Sequence, residues 1–222
     1  MTDIEHPQKR TYHSPARERQ AEESRQRILQ AARVHFLERG YSGTTIDAIA
    51  KEAGVSPKTV TAIFGTKQGI MAEMLQPSAF GERYQQLLRQ IRNASDPIQG
   101  VQIIAQICRQ IYELLTPELD LLRGATMVSP ELMEISQQIN ARRKHFQGAG
   151  VMHLAQQGLL RQELTVTEAI DEFWTLTAYD LYHMLVQECG WSPDQYEAWL
   201  IGLLRQRLLK PQSEQASEQP DT

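Results

Sequence analysis

The chain has 222 residues, 41% of them hydrophobic and 23% charged, with a formal net charge of −4. That is the balance of a globular protein large enough to bury a core without staples, and it excludes a basic protein that binds nucleic acid indiscriminately. Two cysteines inside apolar-periodic segments, Cys108 and Cys189, exclude a disulfide framework and favour a reducing compartment. The N-terminus has no apolar signal region, and no segment reaches the roughly 18 to 20 uninterrupted apolar residues of a membrane span. A cytoplasmic location without a membrane partner is the expectation.

The charge is unevenly spread. Residues 1–75 carry 11 Lys and Arg against 9 Asp and Glu, whereas residues 76–222 carry 12 against 18. A balance of +2 in front and −6 behind suits a head that meets phosphates on a body that avoids them.

In chain order, residues 1–23 are polar and proline-punctuated, with no apolar period, and are expected to form a disordered arm. The arm and its junction hold Lys9, Arg10, Arg17, Arg19, Arg25 and Arg27, which fit either a solvated tail or an entry into a minor groove. A first helix is predicted from Ser24 to Arg39 through Ile28, Leu29, Ala31, Ala32, His35 and Phe36, stopped by Gly40. Thr44 or Thr45 caps a second helix with Ile46, Ile49, Ala50 and Ala53 on one face. Gly54 ends it, Val55 packs inward, and Ser56-Pro57 opens a third helix as N-cap and first position. Val60, Ile63 and Phe64 share the inner face of that helix, while Lys58, Thr61 and Ala62 share the outer one. Phe64 is expected in the core. Gly65 closes the third helix, and a long fourth one starts at Lys67.

Two short helices joined by a glycine turn and braced by a first helix form a tri-helical helix-turn-helix head over residues 24–75. Its outer face is slim enough to enter a major groove, with Lys58 for guanine acceptors and the methyls of Thr59, Thr61 and Ala62 for thymine. Thr44, Thr45, Ser56, Pro57 and Lys67 complete the candidate DNA-contacting set, with Thr45 and Lys67 at helix starts that favour a phosphate.

Residues 76–210 read as a larger all-helical domain, followed by a polar tail expected to be disordered at 211–222. The segment from Pro97 to Thr116 is apolar on more than one side, as a central buried helix would be. There is no nucleophile elbow, P-loop, dinucleotide fingerprint or HExxH, and His145, His153 and His183 are too scattered for a metal cluster. The expectation is a non-enzyme with no cofactor and no metal. An unrecognised helical enzyme and a DNA-architectural protein without effector are the other readings.

Residues 27–70, "RILQAARVHFLERGYSGTTIDAIAKEAGVSPKTVTAIFGTKQGI", closely resemble the DNA-binding head of the tetracycline-repressor (TetR) family. The resemblance rests on Ile28-Leu29, Ala31-Ala32, Phe36, Gly40-Tyr41, Thr44-Thr45, Ile49-Ala50, Ala53 to Ser56, Thr59, Phe64 and Lys67. The family usually has a tyrosine, commonly on a DNA phosphate, where this chain has Thr61. The resemblance implies an all-α regulator, a homodimer on double-stranded operator DNA, whose C-terminal domain binds a small effector. On that footing Ile107, Ile111, Tyr112, Met127, Met152, Trp174 and Tyr179 are candidate effector-lining residues, the methionines and aromatics suiting an adaptable apolar pocket. Leu181, Leu185, Trp199, Leu200, Leu203 and Leu204, on helical stripes of the last two helices, are candidates for the dimer interface. The implied activity is that of a repressor released from a palindrome by a hydrophobic effector.

Overall fold

The computed structural model describes residues 15–94, 96–125 and 129–211. Among them there are helices and turns and no β-strand, only one isolated bridge between Leu160 and Leu209. The chain divides into two compact units, one reaching to Ile70 and one starting at Met71.

In the first unit α1 (Pro15–Gly43) starts well ahead of Ser24. The part of the expected arm from residue 15 to 23 is therefore helical, which corrects the sequence expectation; residues 1–14 lie outside the described residues. Residues 18–23 are exposed on every side, so no apolar period marks them. They are Glu, Arg, Gln and Ala, strong helix formers, behind a proline at the first helical position. Local bonds help, with Gln26 donating to Glu22 at 2.7 Å and the Ser24 hydroxyl to the Gln20 carbonyl at 2.9 Å. Gly40 breaks the helical path at φ 69°, ψ 168°.

The packed part of α1 presents Ile28, Ala31, Ala32, His35 and Phe36 at helical spacing, all buried. Against it lies α2 (Ile46–Ala53), through Ile49, Ala50 and Ala53, and α3 (Pro57–Phe64) packs on α2 with Val60 buried. Phe36 stacks 5.5 Å from Tyr41. Phe64 departs from expectation: it is half-buried at the rim, with the Arg25 guanidinium 5.1 Å from its ring centre. Val60, at 0% exposure, is the α3 side chain that fills the core.

The fourth helix is not long. Helix α4 (Lys67–Met74) ends before Pro77, which opens a 3-10 turn, Pro77–Phe80. Proline lacks the N–H that would continue the ladder and disfavours helical backbone in the residue before it. Gln76 accordingly sits at φ −80°, ψ 151°.

The second unit contains α5 (Gly81–Arg92), α6 (Pro97–Ala125), α7 (Pro130–Gln156), α8 (Val166–Leu176), α9 (Tyr179–Tyr182) with a π-helical turn His183–Glu188, and α10 (Pro193–Leu208). Helix α6 is central, as the apolar pattern implied, but runs on through Pro117. Its Val101, Ala105, Cys108 and Tyr112 pack with Val151, Phe173, Tyr182 and the α10 series Tyr196, Leu200, Leu204, Leu208. Two dimer-interface candidates are thereby corrected: Leu200 and Leu204 are at 0% exposure in the chain's own core. Leu181, Leu185, Trp199 and Leu203 stay half-buried. A helical stripe announces a buried face without saying whether the same chain or a partner covers it.

Burial pushes the Cys108 thiol up to about 12, while Cys189 is exposed. Since the thiolate is the reactive form, a thiol reagent at pH 8 is expected to label one cysteine in the native protein and two in denaturant. Labelling of both at equal rates in the native state would refute the packing of α6.

Candidate nucleic-acid interface

Helix α3 is built to show one side. Ser56, its N-cap, accepts from the Thr59 N–H at 3.0 Å, and Pro57 occupies the first position. Gly54 supplies the left-handed turn before it, at φ 65°, and its N–H closes α2 on the Ala50 and Lys51 carbonyls. The turn after α3 also needs a glycine. A Cβ on Gly69 would stand 2.1 Å from the Phe64 carbonyl oxygen, so the start of α4 can lie against the end of α3 only without a side chain there.

On the open side, Ser56, Pro57, Lys58, Thr61 and Ala62 are exposed and Thr59 is half-buried. The hydroxyls are already partly engaged. Thr61 donates to the Pro57 carbonyl at 2.9 Å, and the Ser56 and Thr59 hydroxyls pair at 2.8 Å. That leaves methyl groups, spare lone pairs and the Lys58 ammonium pointing outward. At the start of α2, Thr45 is exposed and accepts from the Ala48 N–H at 3.1 Å, so its own hydroxyl hydrogen remains to donate.

Two candidates are placed differently. Thr44 is buried, its hydroxyl shared between the carbonyls of His35 at 3.0 Å and Gly40 at 2.9 Å, so its side chain is withdrawn from any DNA surface. Lys67 folds inward. Its ammonium donates to the Tyr41 carbonyl at 2.7 Å and the Thr44 carbonyl at 2.9 Å, and lies 4.3 Å from the Tyr41 ring centre. Two of its three donors thus tie the start of α4 to the turn between α1 and α2.

In the second unit the candidate effector-lining residues do not form one group. Tyr112 and Tyr179 meet, ring centres 5.3 Å apart, with Ile111 against the same core; Ile107 is half-buried on α6. Trp174 lies under Arg143, Met152 is 48% exposed on α7, and Met127 lies outside the described residues. A shallow cavity of about 400 Å³ is lined instead by residues such as Ile98, Arg161, Gly202 and Arg205.

What joins Tyr112 to the Trp174 region is a polar junction that the sequence pattern did not reveal. Thr177, fully buried at the break between α8 and α9, accepts on its carbonyl from the Tyr112 hydroxyl and from Arg143 Nη1 at 3.1 Å. Its hydroxyl donates to the Phe173 carbonyl at 2.7 Å and accepts from Gln147 at 2.7 Å. Arg143 also reaches the Trp174 carbonyl at 2.6 Å. Burial raises the titration of the Tyr112 hydroxyl above its ordinary value, leaving it a neutral donor. The only sequence signal was a threonine between two helical patterns.

A short helix with one exposed face on a tightly packed tri-helical unit has the form of a helix-turn-helix DNA-binding head. Residues 28–74 match the family model for bacterial regulatory proteins of the tetR family. The head is thus similar to the DNA-binding heads of that family, and the whole chain shares its fold with solved transcriptional regulators. NalD of Pseudomonas aeruginosa, the secondary repressor of the MexAB-OprM multidrug efflux pump, is similar at 23% identity and TM-score 0.69, over 87% of this chain and 99% of NalD. A transcriptional regulator from Saccharomonospora viridis, solved in complex with choline, is 19% identical at TM-score 0.64, over 86% and 100%. The fatty acid degradation regulator FadR from Bacillus halodurans is 18% identical at TM-score 0.63, over 87% and 96%. At these identities the structures share the fold. No curated protein sequence matches the chain. Among the described residues no helix is long and apolar enough to cross a membrane.

The two lysines should separate by experiment. Lys58→Ala is expected to leave thermal stability unchanged and to cost about 1–3 kcal/mol of preference for a specific site over random DNA. Lys67→Met is expected to destabilise the head by about 1.5–3 kcal/mol, because two carbonyls lose a charged donor. Melting curves and anisotropy titrations read both, and equal melting temperatures for Lys67→Met and wild type would refute the inward role. Gly69→Ala is expected to cost about 1–3 kcal/mol by overpacking against the Phe64 carbonyl, read from the same curves.

Proposed function

We propose that this protein is a dimeric transcriptional repressor that occupies a palindromic operator and is released by a small effector bound in its second unit. The observation that carries the reading is the division of α3: Val60 is fully buried while Lys58, Thr61 and Ala62 are exposed. Lys58 bonds guanine acceptors in the major groove, and the Thr61 methyl and Ala62 pack on thymine methyls. Few base-edge hydrogen bonds are available from so small a set, so affinity leans on phosphates and DNA shape. The Thr45 hydroxyl and the free N–H groups at the starts of α2 and α4 supply phosphate contacts.

Dimerisation sets two α3 helices about one DNA turn apart, or a multiple of it, matching a palindrome. Leu181, Leu185, Trp199 and Leu203 are the apolar positions that remain for the interface, since Leu200 and Leu204 are internal. The effector is an amphipathic molecule that meets the region of Ile111, Tyr112, Trp174 and Tyr179. It releases DNA by binding the DNA-incompetent arrangement more tightly than the competent one. Reversing a 99:1 population takes about 10⁴-fold differential affinity.

The test is selection of bound sequences from a random DNA pool at near-physiological salt. An enriched inverted repeat is the expected outcome. Binding without enrichment would overturn operator reading in favour of an architectural role.

A further inference from the structure

We infer that the effector is an organic anion, a carboxylate on an apolar body, received by Arg143 together with the indole N–H of Trp174. The inference rests on the effector reading above and adds the ligand's charge. Arg143 of α7 is half-buried, and among the described residues its guanidinium contacts no carboxylate. It meets the carbonyls of Trp174 and Thr177, the Thr177 hydroxyl and, at 3.5 Å, the Asn140 side-chain oxygen.

Those carbonyls lie at the C-terminal end of α8, which carries roughly half a negative charge. About half of the guanidinium charge is left without a counterpart. Two cations near it are matched by carboxylates: Lys144 has Asp171 at 2.6 Å, and Arg207 has Glu172 at 2.5 Å.

Donors are also left over. Arginine has five N–H groups, and the bonds above leave its Nε hydrogen and one Nη2 hydrogen unused. The Trp174 ring lies 5.1 Å beneath the guanidinium, and its Nε1 is buried without a partner. A buried donor left unbonded costs about as much as a lost hydrogen bond, so an unpaired one beside an unmatched cation calls for an acceptor. A carboxylate answers both groups, one oxygen on the guanidinium and one on the indole N–H. The unpartnered Gln147 Oε1 next to it has room for one donor on the ligand. An ammonium head would face the unmatched guanidinium and be repelled. Because Arg143 also holds Thr177 through Nη1, an anion that pulls the guanidinium toward its free Nε and Nη2 hydrogens strains the bonds that fix the break between α8 and α9.

The experiment uses the full chain and three probes that differ only in their heads: 3-phenylpropionate, 3-phenylpropanol and 3-phenylpropylamine. Calorimetry without DNA measures binding, and anisotropy on a selected DNA site measures release. The expected result is saturable binding of the carboxylate at least tenfold tighter than the alcohol, with no saturable binding of the amine. Trp174→Phe keeps the ring, removes the N–H, and is expected to weaken the carboxylate about tenfold while leaving the alcohol unchanged. Arg143→Lys keeps the charge without the fork and should also lose carboxylate preference. Equal or tighter binding of the alcohol or amine, no saturable binding of the carboxylate, or an unaltered carboxylate preference in Trp174→Phe would each overturn the assignment. Carboxylate binding without DNA release would uphold the site and refute the regulatory reading instead.

Discussion

Helix α3 is eight residues long, and a helix of that length does not hold itself together in water. Everything in the head answers that constraint. The outward face must stay free for DNA, so tertiary packing can come from one side only. Val60 is the one fully buried side chain of α3, and the two ends supply the rest: Ser56 and Pro57 at the start, then Gly65 and the close approach at Gly69. A short helix fixed at both ends and along one stripe can present backbone and small side chains deep in a groove without fraying.

The same constraint explains why the polar groups of the head turn inward. Gly40 ends the regular path of α1, which leaves carbonyls at Gly40 and Tyr41 without the usual ladder. The Thr44 hydroxyl and the Lys67 ammonium take them up, together with the carbonyls of His35 and Thr44. Unmet carbonyls in this crowded turn would cost more than a phosphate contact on the surface returns. Lys67 and Thr44 therefore fix where α2 and α4 begin, and the proposed phosphate contacts fall to the N–H groups at those helix starts.

The head was legible because its rules are local. Gly54, Ser56-Pro57 and Gly65 each mark a turn within a few residues, and the inner faces repeat at helical spacing. Where reading failed, the deciding neighbour was far away or the signal was not periodic. The extension of α1 over residues 15–23 has no buried face to create a period, only propensity. Phe64 shares the Val60 stripe, yet the core is filled by Ile28, Phe36 and Ile49 before Phe64 reaches it. Leu200 and Leu204 look the same on a helical wheel as residues that face a partner. The break before Pro77 was written in the chain, since "LQPSAFG" carries a proline and, four residues on, a glycine, and helical character on either side masked it.

The Thr177 junction was invisible for a stronger reason. Tyr112 of α6 and Arg143 and Gln147 of α7 lie 30 to 65 positions from Thr177 in sequence. Nothing in a one-dimensional pattern joins them. Physically the junction is what lets α8 stop and α9 begin inside a core, because an interrupted helix leaves carbonyls that only side chains can satisfy. Apolar packing would tolerate a small displacement there, whereas a buried polar network loses its bonds together when one member is diverted. The proposed effector response calls for such an all-or-none element. In the second unit the break at Thr177, followed after the four-residue α9 by the π-helical stretch His183–Glu188, is where the helical ladder is already interrupted.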